Sequence, residues 1–247
     1  MSMLQRRRAL LTGALLAATG LGSAAVSATP AAPASSVRES GSRGTVALVM
    51  QTDGPNAPTD QKIREHLESR GFLVNVLNQD VPASRIGNAR LVILSSTIAA
   101  KSVGEGWRQL AVPLLTWEND LLDDLAMTGK RHDVDYGEAP RERYLWLVNA
   151  PHPVSAGMPA GAANVYQKQA AMSWGKPGLG ASIIATLYGQ PEKAAIFVYE
   201  KGATMDYESL APARRVMFCL ANDTFTNLSA PGLRLFDAAV DWAIAGH

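Results

Sequence analysis

Hydrophobic positions in this chain fall into short continuous runs separated by polar, turn-forming stretches. Residues 45–50 (TVALVM), 89–97 (ARLVILSST) and 112–118 (VPLLTWE) are apolar through their centres. Runs of that length read as strands buried on both faces. Residues 72–78 (FLVNVLN) form another strand, and the intervening APTDQKIREHLESRG predicts a helix. Its cap is expected at Thr59 or Asp60, Ile63 and Leu67 share its inner face, and Gly71 stops it. A second helix is expected around residues 119–126. Further strands are expected at 143–149, 164–167, 181–187, 194–200 and 214–220. The closing SAPGLRLFDAAVDWAIAG places Leu233, Phe236, Ala239, Val240 and Ala243 on one helical stripe.

Strand–helix–strand alternation with short links predicts parallel strands and right-handed crossovers. The expected fold is therefore α/β: a single three-layer domain over residues 45–247, with a mostly parallel central sheet of flavodoxin-like type and helices on both faces. No internal repeat and no second linker divides that span.

Residues 1–28 have a basic start (Arg6, Arg7, Arg8), an Ala/Leu-rich stretch and small residues near Ala28. That order predicts a secretory signal peptide, with Arg7-Arg8 suggesting the twin-arginine route, and an exported, periplasmic or extracellular protein. Its apolar stretch is diluted by Gly13, Gly20 and Gly22, so stable membrane insertion is not expected. Residues 29–44, rich in Pro, Ala and Ser, read as a disordered linker. Removing residues 1–28 changes the formal charge from +1 to −2. With no basic run remaining, nucleic acid is not an expected partner. Cys219 is the only cysteine, and it sits inside the apolar VMFCL, which suits a buried structural thiol and forbids an intrachain disulfide.

In open parallel sheets, ligands bind beyond the carboxyl ends of the strands. Those ends offer Thr52 and Asp53, then Ser95, Ser96 and Thr97, then Trp117, Glu118 and Asn119. Glu200 with Lys201, and Asn222, Asp223 and Thr224, follow later strands. Glu118, at the turn after an apolar strand, is either a desolvated general base or a helix-start acid that satisfies backbone N–H groups. His152, held between Pro151 and Pro153, is either a directed acid partner for Glu118 or a residue that locks its loop. Residues 129–143 read as a solvated, charged loop, Trp146 as core, and Trp174 as the better exposed platform. GKPGLG at 175–180 lacks the flanking strand and helix of a phosphate loop, and reads as a turn. No histidine pair has metal-ligand spacing and no Gly-rich turn follows the first strand, so neither a metal site nor a dinucleotide cofactor is expected.

The loop HPVSAG (152–157) and the closing helix with Trp242-Ala243 resemble the ThuA-like branch of the class I glutamine amidotransferase-like superfamily. The resemblance covers roughly residues 45–245. It implies the same α/β fold and tilts the ligand toward carbohydrate, because ThuA-like proteins are associated with sugar utilisation. The amidotransferase relatives carry a nucleophilic Cys at the turn that is TWEN here, so glutaminase chemistry is not expected. The expected function is binding of a carbohydrate or other polyhydroxylated small molecule or oligosaccharide at the strand-end rim, with Glu118 and His152 as a hydrolytic or lyase-type pair. A non-catalytic binding or scaffold module of the cell envelope is the alternative.

Overall fold

The computed structural model describes residues 42–245. The expected signal peptide, and the expected linker up to residue 41, lie outside the described residues. Among the described residues, eleven strands form one sheet. They are β1 (Thr45–Met50), β2 (Leu73–Asn78), β3 (Leu91–Leu94), β4 (Leu114–Thr116), β5 (Tyr136–Glu142) and β6 (Tyr144–Leu147). β7 (Gly161–Asn164), β8 (Ala170–Gly175), β9 (Ser182–Leu187), β10 (Gln190–Tyr199) and β11 (Arg215–Met217) complete it. The order along the sheet is β2-β1-β3-β4-β11-β10-β9-β6-β7, with the antiparallel pair β5/β8 attached through β10.

The first five strands in that order run parallel, and everything beyond β11 is antiparallel. Four strand pairings are parallel and six antiparallel, which corrects the expectation of a mostly parallel sheet. The physical reason lies in the connections. A parallel partner needs a long crossover, whereas β9 and β10 are joined by the two-residue turn Tyr188-Gly189, which forces an antiparallel return.

Two α-helices are present among the described residues, α1 (Ala57–Ser69) and α2 (Ala230–Ala245). Both pack on one face of the sheet. Val46, Leu48, Ile93, Leu115 and Phe218 of that face meet Ile63 and Leu67 of α1 and Phe236 and Val240 of α2. The other face (Ala47, Val49, Val92, Leu94, Met217) is covered by connecting segments through Ile86, Trp107, Leu122, Leu125 and Met205. Helices on both faces are thus replaced by helices on one. The helix expected near residues 119–126 is a single 3-10 turn, Asn119–Leu121. The chain then coils through hydrogen bonds such as Leu125 N to the Leu121 carbonyl and stops at Ala126, whose φ is +57°.

α1 begins one turn earlier than its expected cap, with Asn56 at the boundary and no side-chain cap bond. Asp60 is instead fully buried and faces the sheet. Gly71, at φ +89°, ends the helix as its sequence predicts, a conformation that costs glycine little.

Candidate functional site

Register aligns the carboxyl ends of the parallel strands. Val49 pairs with Leu94, Leu94 with Thr116, and Thr116 with Met217. The segments beginning at Gln51, Ser95, Trp117 and Phe218 therefore emerge on one edge. Side-chain direction then sorts the candidates. Ser95 Oγ and Thr97 Oγ1 each donate to the buried Asp60 carboxylate at 2.6 Å, so both are committed to tying β3 to α1. Trp117 is core, its ring set edge-on to Phe236 at 6.2 Å. Ser96 is buried beneath the rim, and Asp53 stands exposed at the end of β1.

What remains open is a polar cavity of about 280 Å³ lined by Asn56, Glu138, Ala171, Ala221, Asn222 and Asp223. The Asn222-Asp223 turn is held from below. Thr224 Oγ1 accepts from the Ala221 N–H at 2.8 Å and from the buried Tyr166 hydroxyl at 3.0 Å. Thr224→Val keeps the shape but removes this lock. It should cost about 1–2 kcal/mol in a denaturant titration, with Tyr166→Phe costing no more.

Glu138 comes from β5, in the segment read from sequence as a solvated loop. It pairs in register with Ser173 of β8, a strand that sequence reading also missed. Asn119 Nδ2 lies 3.5 Å from Ser173 Oγ, linking this strand pair to the end of β4. The one weak signal was Ala139 following the charged Glu138, a fragment of alternation interrupted by Pro140.

Glu118 is only 6% exposed. Its Oε1 accepts from the Asp120 N–H at 3.0 Å, and it caps the 3-10 turn. Burial pushes its pKa up to about 8, with a smaller push from the Asp120 and Glu138 charges against the opposing hydrogen bond. At neutral pH it is a protonated donor. Glu138 is raised as well, by desolvation first and then by the Asp223 and Asp120 charges. The edge thus collects carboxyl groups, amides and one protonated acid. Such a set pairs with hydroxyls, and its acids repel anions.

His152 and Glu200 do not join this edge, and the expected Glu118–His152 pair is not formed. β10 runs against β11, so Tyr199 pairs with Arg215 and Glu200 exits at the opposite edge. β6 likewise runs against β9, which carries His152 to that same far edge. There His152 lines a separate cavity of about 640 Å³ with Glu200, Arg214, Asp241 and Trp242. Its Nδ1 accepts from the Val154 N–H at 3.2 Å, and its ring lies 5.3 Å from that of Trp242. Burial, then Arg214, lowers its pKa against the pull of Glu200. Of its two sequence readings, this is the loop lock. Lys201 leaves with Glu200.

Cys219 is fully buried and its thiol is pushed up to about 12 by desolvation. It is no thiolate nucleophile. Among the described residues, no group of three or more His, Cys, Asp or Glu is placed to hold a metal ion. No helix there is long and apolar enough to cross a membrane.

No protein-family model and no curated protein matches this sequence. Solved structures do. A ThuA-like protein from Bacteroides uniformis superposes with a TM-score of 0.51 at 11% identity, covering 87% of this chain and 95% of that one. A GMP synthase component from Thermoplasma acidophilum gives 0.50 at 11% identity, covering 81% and 94%. The likeness is one of fold: the chain has a ThuA-like α/β fold.

Proposed function

We propose that this ThuA-like domain binds an uncharged, hydroxyl-rich small molecule of the carbohydrate type in the cavity beside Glu138, Asn222 and Asp223. In this reading it acts outside the cytoplasm and serves as a binding domain. The observation that carries the ligand class is the composition of the cavity. Two carboxyl groups and two amides surround a space of small-molecule size, with no cation among the lining residues to welcome an anion. Carboxylates and amides offer paired acceptors and donors to vicinal hydroxyls. Binding is favoured over catalysis because Glu118 caps its own turn and His152 lies at the other edge. The buried, protonated Cys219 likewise speaks against glutaminase chemistry.

The test is thermal unfolding of the full chain against glucose, galactose, inositol and gluconate. A ligand at one hundred times its dissociation constant adds about 2.7 kcal/mol of stability. A neutral sugar or polyol should raise the midpoint and gluconate should not. If no neutral compound shifts it, or gluconate alone does, the reading fails.

A further inference from the structure

The antiparallel wing carries a feature that the rim does not use. In β6, Leu145 and Leu147 point into the core while Tyr144 and Trp146 point out, as does Val148 just beyond the strand. Leu145 pairs with Leu187, so Tyr144 stands opposite Tyr188 on the same outer face. The Tyr144 and Tyr188 rings are 6.2 Å apart between centroids, and Trp146 and Tyr188 6.1 Å apart. All three are substantially exposed, at 41%, 46% and 53% for Tyr144, Trp146 and Tyr188. On the other side, Trp146 faces Ala162 of the edge strand β7, a side chain too small to cover the indole. Next to it lies an open groove of about 330 Å³, lined by Trp146, Thr186, Leu187, Tyr188, Gly189 and Pro191.

We propose that this aromatic strip is a second binding surface, separate from the rim, that stacks the sugar rings of a neutral oligosaccharide or polysaccharide. Three observations select that occupant. No acidic or basic side chain lines the groove, so a charged chain would find no counter-charge. The nearby cation Arg143 is directed at the Tyr144 ring, the Asn164 side chain and the Tyr166 carbonyl. The area is also small. Three half-exposed aromatic side chains of about 150–250 Å² each present roughly 300 Å², against about 800 Å² per partner in a stable protein interface. A pyranose presents a face of C–H groups that buries against an aromatic ring. Its rim of hydroxyls remains free for the phenol O–H and indole N–H groups, which are amphipathic in the same way. A contiguous patch of this size is often functional.

The proposal does not depend on the rim reading and is tested apart from it. Native gels cast with hydroxyethyl cellulose, xylan, dextran or glycogen are run with wild type, Trp146→Ala, Tyr188→Ala and Asn222→Ala. All three substituted side chains are exposed, and circular dichroism checks that the fold is kept. At least one polysaccharide should retard wild type, and Trp146→Ala should weaken that retardation about tenfold or more. Three results would overturn it: no retardation by any of the four, retardation indifferent to Trp146→Ala, or loss in Asn222→Ala instead. Sedimentation adds a fourth. Self-association of wild type that Trp146→Ala abolishes would give the surface to a second copy of the chain.

Discussion

Wild-type protein should lose stability as pH rises from about 5 to 8, and Glu118→Gln should lose much less. Glu118 has a folded pKa of about 8 against an ordinary 4.5. Below pH 4.5 it is neutral in both states and costs nothing. Between the two values the unfolded chain releases the proton that the fold retains, so folding becomes progressively less favourable. Above about 8 the penalty levels off. The interval corresponds to roughly 4–5 kcal/mol at about 1.4 kcal/mol per pH unit. Glutamine stays neutral and keeps an acceptor for the Asp120 N–H. The variant should therefore melt about 10 °C above wild type at pH 8.5 and close to it at pH 4.5. Parallel melting profiles across that range would show that Glu118 ionises normally.

Arg215→Met should lower stability by about 3 kcal/mol or more. Arg215 is fully buried in β11 with no carboxylate partner among the described residues. Its guanidinium donates to backbone carbonyls instead, at 2.6 Å to Leu110 and 3.1 Å to Val112, with longer bonds to Ala213 and Arg214. Desolvation lowers its pKa to about 10, which still leaves it charged at neutral pH. Methionine removes a costly buried charge, and that offsets part of the loss. It also strips the donor from carbonyls on the segment that carries Trp107 over the sheet, and orphaned buried acceptors cost about 1–3 kcal/mol each. The urea midpoint should fall by roughly 1 M at unchanged slope. A midpoint within about 0.2 M of wild type would mean that water or backbone shifts satisfy those carbonyls.

In the parallel half of the sheet, β1, β3, β4 and β11 were legible because they are buried on both faces. VALVM (46–50) and LVIL (91–94) are apolar without interruption, and runs that short suit a buried strand better than a helix. β5 and β8 were not legible. YGEAPRE holds Gly137, Pro140 and three charges, and AAMSWG is mostly small. That strand pair brings Glu138, which only the fold reveals as a lining residue.

Direction was the other loss. Hydrophobic pattern places a strand but does not orient it, so His152 and Glu200 were expected on an edge that the antiparallel turns take them away from. The tryptophans show a signal present but outweighed. RYLWLVN alternates, and with Leu145 and Leu147 facing inward Trp146 must face out. Trp174 in its Gly-rich setting is 2% exposed, beneath the Lys193 ammonium at 4.7 Å.

Isothermal titration of the sugar or polyol that most raises the melting point is the direct test of the rim as the binding edge. It would be run with wild type, Asn222→Ala, Asp223→Asn and His152→Ala. The rim account predicts that the Asn222 and Asp223 variants lose at least tenfold in affinity, while His152→Ala, at the far edge, binds as wild type does. Binding lost in His152→Ala and kept in Asn222→Ala would move the site to the cavity of Glu200, Arg214 and Trp242, and contradict the account.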